Sequence, residues 1–302
     1  MTIKKTCLVF GAGVSRGYGF PLGRGLMIQL CKQLAGGADI ATALATVDFS
    51  PAEIDGFRDA LVASHAESVD RFVANRPEFE KIGKFAIAAA LIPHETLNNL
   101  VPEADPRIYE YIWHRIGRDL ETLKENRLSI VTFNYDRSLE YFLLNAIKAQ
   151  FGLPDDQCDL LLATQIRIAH VYGDLGPAGL AQNNRLPYSP VVNAAALHNA
   201  VRGIHLVRDG NIITPSIRAA QDLIREADHT CLLGFGFDSW NVRRLGLSHR
   251  TTLVPVFATA LGLTAGERAA VSRQFDSLGG IHLAQPHVDA FGLLREQVDI
   301  LT

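Results

Sequence analysis

Residues 6–25 read TCLVFGAGVSRGYGFPLGRG, and the order of features inside this stretch decides the fold class. Cys7-Leu8-Val9-Phe10 is an apolar run short enough for a buried strand. Gly11-Ala12-Gly13 follows at once, and beyond Pro21 the tract Leu26-Met27-Ile28-Gln29-Leu30 has helical character. A strand that runs into a glycine turn and then a helix is able to hold a phosphate, because glycines let the backbone approach a ligand and the amides there point at the anion. The dinucleotide fingerprint G-x-G-x-x-G would place its third glycine at position 16, where the chain has Arg16. The bend therefore admits two readings, a nucleotide cradle and a tight turn in an α/β core.

Working outward, residues 26–35 read as a helix that stops at Gly36-Gly37. Residues 38–125 carry only helical signals. Ser50-Pro51-Ala52-Glu53 has capping-box spacing with proline at the first helical position. Val69, Phe72 and Val73 form one apolar face beside Asp70 and Arg71, and further helices are expected over 78–92 and 106–124. Strand character returns at Leu128–Phe133, Ile166–Tyr172, His229–Leu233, Leu253–Phe257 and Ile281–Leu283, with helices expected after the first of these and over 216–227 and 264–277. Residues around 152–156 read as a loop. Residues 174–215, rich in Asn, Gly and Pro, read as irregular and able to cover a cleft. Alternating β and α elements predict a doubly wound, Rossmann-like α/β domain spanning 1–302. Its parallel sheet would have helices on both faces and a helical insertion over 38–125 after the first β-α unit.

Composition narrows the function classes. The formal net charge of −3, with no Lys/Arg cluster, gives no basic surface for nucleic acid. The longest apolar stretch, Phe85–Ile92, falls short of the roughly 20 residues that a membrane helix needs, and no secretory signal is visible. The four cysteines, Cys7, Cys31, Cys158 and Cys231, form no C-x-x-C pair, so zinc has no ligand set of the usual spacing and no metal is expected. A reducing cytoplasm fits them, with Cys7 and Cys231 as buried thiols.

Four segments stand in order at strand ends: GAGVSRGYGFP, TFNYD, HVYGDLG and GFGFDSWN. Their order and wording resemble the sirtuin superfamily, and more closely its zinc-free bacterial branch that hydrolyses NAD. Sirtuins carry G-A-G-x-S, then G-x-P and Asp-Phe-Arg. Gly11, Ala12, Gly13, Ser15, Gly19 and Pro21 keep that spacing, and Arg24 falls where the arginine would, with Leu22 and Gly23 replacing the Asp-Phe pair. Of the sirtuin T-Q-N-x-D, Thr132, Asn134 and Asp136 match, and Phe133 replaces the glutamine. The His-Gly pair of sirtuins has no direct counterpart: the chain has His170-Val171-Tyr172-Gly173, so either His170 is the base or Tyr172 stands in its place. On a strand both would face one side. His170 is the favoured choice, since a phenol is a poor base at neutral pH.

The resemblance implies NAD as substrate, a role in antiphage defence through NAD depletion, and a homo-oligomer or a defence partner protein. Without the zinc module that seats an acyl-lysine peptide, hydrolysis by water is expected over deacylation. Asn134 suits orientation of water and a ribose hydroxyl, its plain alternative being a helix cap; Asp136 divides the same way. Ser15 and Arg24 are candidate phosphate contacts, or a cap and a solvated cation. Thr132 and Pro21 complete the expected cofactor contacts. Gly234, Phe235 and Gly236 form a second loop able to approach the adenosine ribose, with Asp238 or Asn241 as polar contacts. Asp174 reads as turn chemistry. A regulatory module that binds NAD or ADP-ribose without turnover is the competing reading.

Overall fold

A computed structural model describes residues 4–101, 103, 107–181, 186–206, 212–249 and 256–297. Six strands form one parallel sheet: β1 (Thr6–Phe10), β2 (Leu128–Thr132), β3 (Arg167–His170), β4 (His229–Leu233), β5 (Val256–Ala258) and β6 (His282–Leu283), in the order β3-β2-β1-β4-β5-β6. That is a doubly wound, Rossmann-like order whose direction reverses beside β1. β1 is central, with Thr6 opposite Leu128 on one side and His229 on the other. Every residue of β1 and β2 is buried, which is why both read as unbroken apolar runs: a strand covered on two faces has no solvent side to make polar.

Alternation sorts the side chains into two cores. Leu8, Phe10 and Ile130 face a cluster built with the helices Gly23–Gln33 and Ser138–Phe151 and with the insertion. Cys7, Val9, Val131 and Leu232 face the helices Pro215–Glu226 and Ala265–Phe275. No described residue between Phe10 and Leu128 is in a strand. The insertion packs around Glu80–Leu91, buried almost throughout, and its helix Pro51–Ser64 starts at the expected box, Ser50 accepting from the Glu53 amide (3.3 Å) and Glu53 from the Ser50 amide (2.8 Å). Val69, Phe72 and Val73 are buried as their spacing requires, which leaves Asp70 and Arg71 to reach across to the strand tips.

Several boundaries differ from expectation. The span 106–124 is two helices, Ile108–Ile116 and Leu120–Glu125, broken at Gly117 and restarted by Asp119, whose carboxylate accepts from the Thr122 amide at 2.7 Å. The stretch read as a loop after Gly152 is a helix, Asp155–Gln165, for which Pro154 and two first-turn aspartates are suitable starts. Within 174–215 lies the helix Ala194–Gly203, capped by Asn193; residues 182–185 and 207–211 of that segment are outside the described residues, as are 253–255 of the strand expected there. β3 ends at His170, so Tyr172 sits in the following turn. No helix among the described residues is long and apolar enough to cross a membrane.

Candidate functional site

The segments after β1, β2, β3 and β4 all leave the same, carboxyl edge of the sheet. The glycine bend is packed against the loop after β4. The Gly11 amide donates to the Leu233 carbonyl (2.9 Å) and the Gly13 amide to that of Gly234 (3.1 Å). A Cβ on Gly13 would lie 2.7 Å from Gly234 Cα, and one on Gly11 2.4 Å from Gly234 O. These glycines thus let backbone approach backbone, and both amides are already used. Ala12–Ser15 is a single helical turn, and the longer helix starts only at Gly23. Arg24 is exposed and Pro21 half-buried; Arg24 makes no hydrogen bond or ion pair among the described residues.

The first and second segments meet through Asn134. Its side-chain amide donates to Ser15 Oγ (2.7 Å) and to the Gly11 carbonyl (3.0 Å). Buried Ser15 in turn bonds the Asp136 carboxylate, which also accepts from the amide and hydroxyl of Ser138. Burial pushes the Asp136 carboxyl up, and those hydroxyls hold it down. The cap reading of Asp136 is therefore occupied. Thr132 is buried, and its hydroxyl accepts from the Asn134 amide at 3.1 Å.

His170 joins the third segment to the second. Its Nδ1 donates to the Asn134 carbonyl (2.9 Å), and its Nε2 lies 2.6 Å from Glu140 Oε1 on the helix Ser138–Phe151. Both partners are acceptors, so both ring nitrogens carry hydrogen and the ring is an imidazolium. Burial alone would lower its pKa, but the Glu140 carboxylate, aided by Asp174 and the Asn134 carbonyl, pushes it up to about 9. An imidazolium has no lone pair for a proton, which leaves His170 as a group that holds the Asn134 loop. Because the folded-state pKa lies above the unfolded value, the stabilisation is complete below pH about 6.5 and is lost as pH rises through about 9. At about 1.4 kcal/mol per unit the total is about 3 kcal/mol. Urea unfolding should show the wild type losing that margin over His170→Gln between pH 6 and pH 10; a margin constant with pH would refute the ion pair.

Tyr172 does not share a face with His170, since the strand has ended before it. Its hydroxyl donates to Asn241 Oδ1 and accepts from Arg244 Nη1, both on the helix Ser239–Arg244. Burial pushes the phenol up to about 12 against the pull of Arg244, so it stays protonated at neutral pH. Beside it the Tyr135 hydroxyl donates to Asp70 Oδ1 on the insertion helix Val69–Asn75, and Arg71 pairs with Asp238 at 3.5 Å. Phe133 packs edge to face on Phe235 at 5.1 Å and on Tyr172 at 5.7 Å, and Phe237 follows in the left-handed region at φ +55°. A bulky residue held there is strained, as functional loops often are. Gly236 has open space where a Cβ would stand. Asp238 caps the helix that carries Asn241 and Arg244.

Sequence reading missed Asp70, Tyr135, Glu140 and Arg244. Tyr135 lay inside the TFNYD segment and Asp70 beside an apolar face, but their pairing is a tertiary fact. Among the described residues no group of three or more His, Cys, Asp or Glu is placed to hold a metal. Compared with protein-family models and with curated proteins, the chain matches none.

Proposed function

We propose that the chain hydrolyses NAD to nicotinamide and ADP-ribose at the carboxyl edge of its sheet, as its likeness to the zinc-free sirtuin branch implies. The observation that carries this reading is the convergence on Asn134: its amide ties the glycine bend to the second segment, and its carbonyl receives the third through His170. The reaction asks little of an acid, since nicotinamide leaves neutral. It asks for an ordered loop that orients water and ribose. Because unrestrained NAD hydrolysis would kill its host, we read the activity as held back until an assembly or partner triggers it, in antiphage defence.

Purified protein incubated with NAD should release nicotinamide, and Asn134→Ala should lower the rate about 10²-fold or more, as loss of a positioning contact does. Equal release by the variant would remove Asn134 from the chemistry. Two observations favour a second reading, a module that binds NAD or ADP-ribose without turnover: His170 has no lone pair, and the glycine amides are engaged. Saturable binding without nicotinamide release would decide for it.

A further inference from the structure

With His170 doubly protonated and Tyr172 held as a phenol, neither residue of the third segment accepts a proton at neutral pH. Another acceptor stands at the same strand tips. Asp70 comes from the helical insertion, at the flank of the face formed by the buried Val69, Phe72 and Val73. Its Oδ1 receives the hydroxyl of Tyr135, the neighbour of Asn134, and the carboxylate faces Arg244, which holds Tyr172. Tyr135 and Tyr172 are themselves ring neighbours at 6.3 Å. Asp70 is half-buried, whereas Asp136 is buried and bound to Ser15 and Ser138.

The geometry points to Asp70 as the proton acceptor of the proposed hydrolysis, contributed by the insertion to the group that Tyr135, Tyr172 and Arg244 form beyond the strand ends. The inference rests on the NAD-hydrolysis reading. In the step, the oxygen of water bonds to the anomeric carbon as the bond from that carbon to the nicotinamide nitrogen breaks. The bonding pair leaves with nicotinamide, which departs neutral, and the proton of water passes to the Asp70 carboxylate and then to solvent. Burial raises the Asp70 pKa from the ordinary carboxylate range, against the Tyr135 hydroxyl and Arg244, and so moves it toward that of an effective base at neutral pH. The charged and titratable groups around it are Tyr135 on the segment after β2, Tyr172 after β3, and Arg244 with the Arg71–Asp238 pair at the helix Ser239–Arg244. The inserted helices would then complete the site, and any trigger that shifts them would switch the activity.

The test uses the full chain. Asp70→Asn keeps an acceptor for the Tyr135 hydroxyl and removes the base. Its kcat for nicotinamide release is expected to fall at least about 100-fold, with KM within about threefold and Tm unchanged, in line with the usual worth of one positioned base. Tyr135→Phe keeps the carboxylate but deletes a bond that favours its charged form, so the acid limb of its kcat–pH profile should move to higher pH. A folded Asp70→Asn protein with wild-type kcat overturns the inference. Should that variant fail to fold, an unmoved acid limb in Tyr135→Phe overturns it instead, and a limb moved upward supports it. Wild type that binds NAD without releasing nicotinamide removes the hydrolase reading, and this role with it; wild type that turns over while Asp70→Asn is unimpaired removes only the role.

Discussion

Replacing Arg137 by methionine should cost the fold about 3–5 kcal/mol, the usual penalty for stripping one partner from a buried ion pair. Arg137 and Glu95 are each about 2% exposed, with guanidinium and carboxylate joined at 2.8 and 2.5 Å in a two-pronged contact. Glu95 comes from the end of the insertion's central helical stretch, and Arg137 from the start of the helix after β2. The same guanidinium donates to the carbonyls of Gly176, Leu186 and Pro187, at 3.2–3.4 Å, so it also fixes the segment that sequence reading offered as a cover. Beside the pair is a cavity of about 200 Å³ lined by Ile92, Leu175, Leu186, Asn193 and Asn199. Methionine fills much of the volume but leaves Glu95 charged and unpaired. Urea denaturation at pH 7 should place the loss in the midpoint. Arg137→Met combined with Glu95→Leu should recover most of it, since apolar residues of similar volume replace such pairs at little cost. A single variant that loses less than about 1 kcal/mol would mean that water already reaches the pair.

The sheet was legible in the sequence, and the site only in fragments. Buried parallel strands announce themselves as short apolar runs, so β1, β2 and β4 could be placed from Cys7–Phe10, Leu128–Thr132 and Cys231–Leu233 alone. A helix start was readable where a cap fixes it, as at Ser50, and a helix end was unreadable at Gly117, where a glycine breaks an otherwise continuous apolar face. The glycines announced a close approach, but not what approaches. The state of His170 was out of reach because Glu140 sits 30 residues earlier, on a helix whose facing side only the packing fixes. Asp70 was hidden for the same reason: beside a buried stripe, a polar residue reads as a solvated face until the fold brings Tyr135 to it.

Gly234→Ala is the second substitution with a large expected effect, and it bears on what the glycine bend is for. Gly234 has φ +60°, where an L side chain costs about 1–2 kcal/mol. A Cβ there would stand 2.7 Å from Gly13 Cα, Gly13 C and the Val14 amide nitrogen, all main-chain atoms that no rotamer change moves aside. The two loops must therefore separate, which also breaks the bond from the Gly13 amide to the Gly234 carbonyl at 3.1 Å. Strain, overpacking at about 1–3 kcal/mol and the lost bond together predict a loss of about 3–5 kcal/mol. Gly236→Ala is the control, since its Cβ meets open space and should cost less than about 1 kcal/mol. If the bend served only to admit a ligand, both alanines would fold as wild type and differ in nucleotide binding. If it serves to lock the β1 and β4 loops, Gly234→Ala loses stability in the absence of any ligand, and added NAD restores little of it. Thermal unfolding of the two variants, with and without NAD, separates these cases, and the close contact of Gly11 and Gly13 with Gly234 predicts the second.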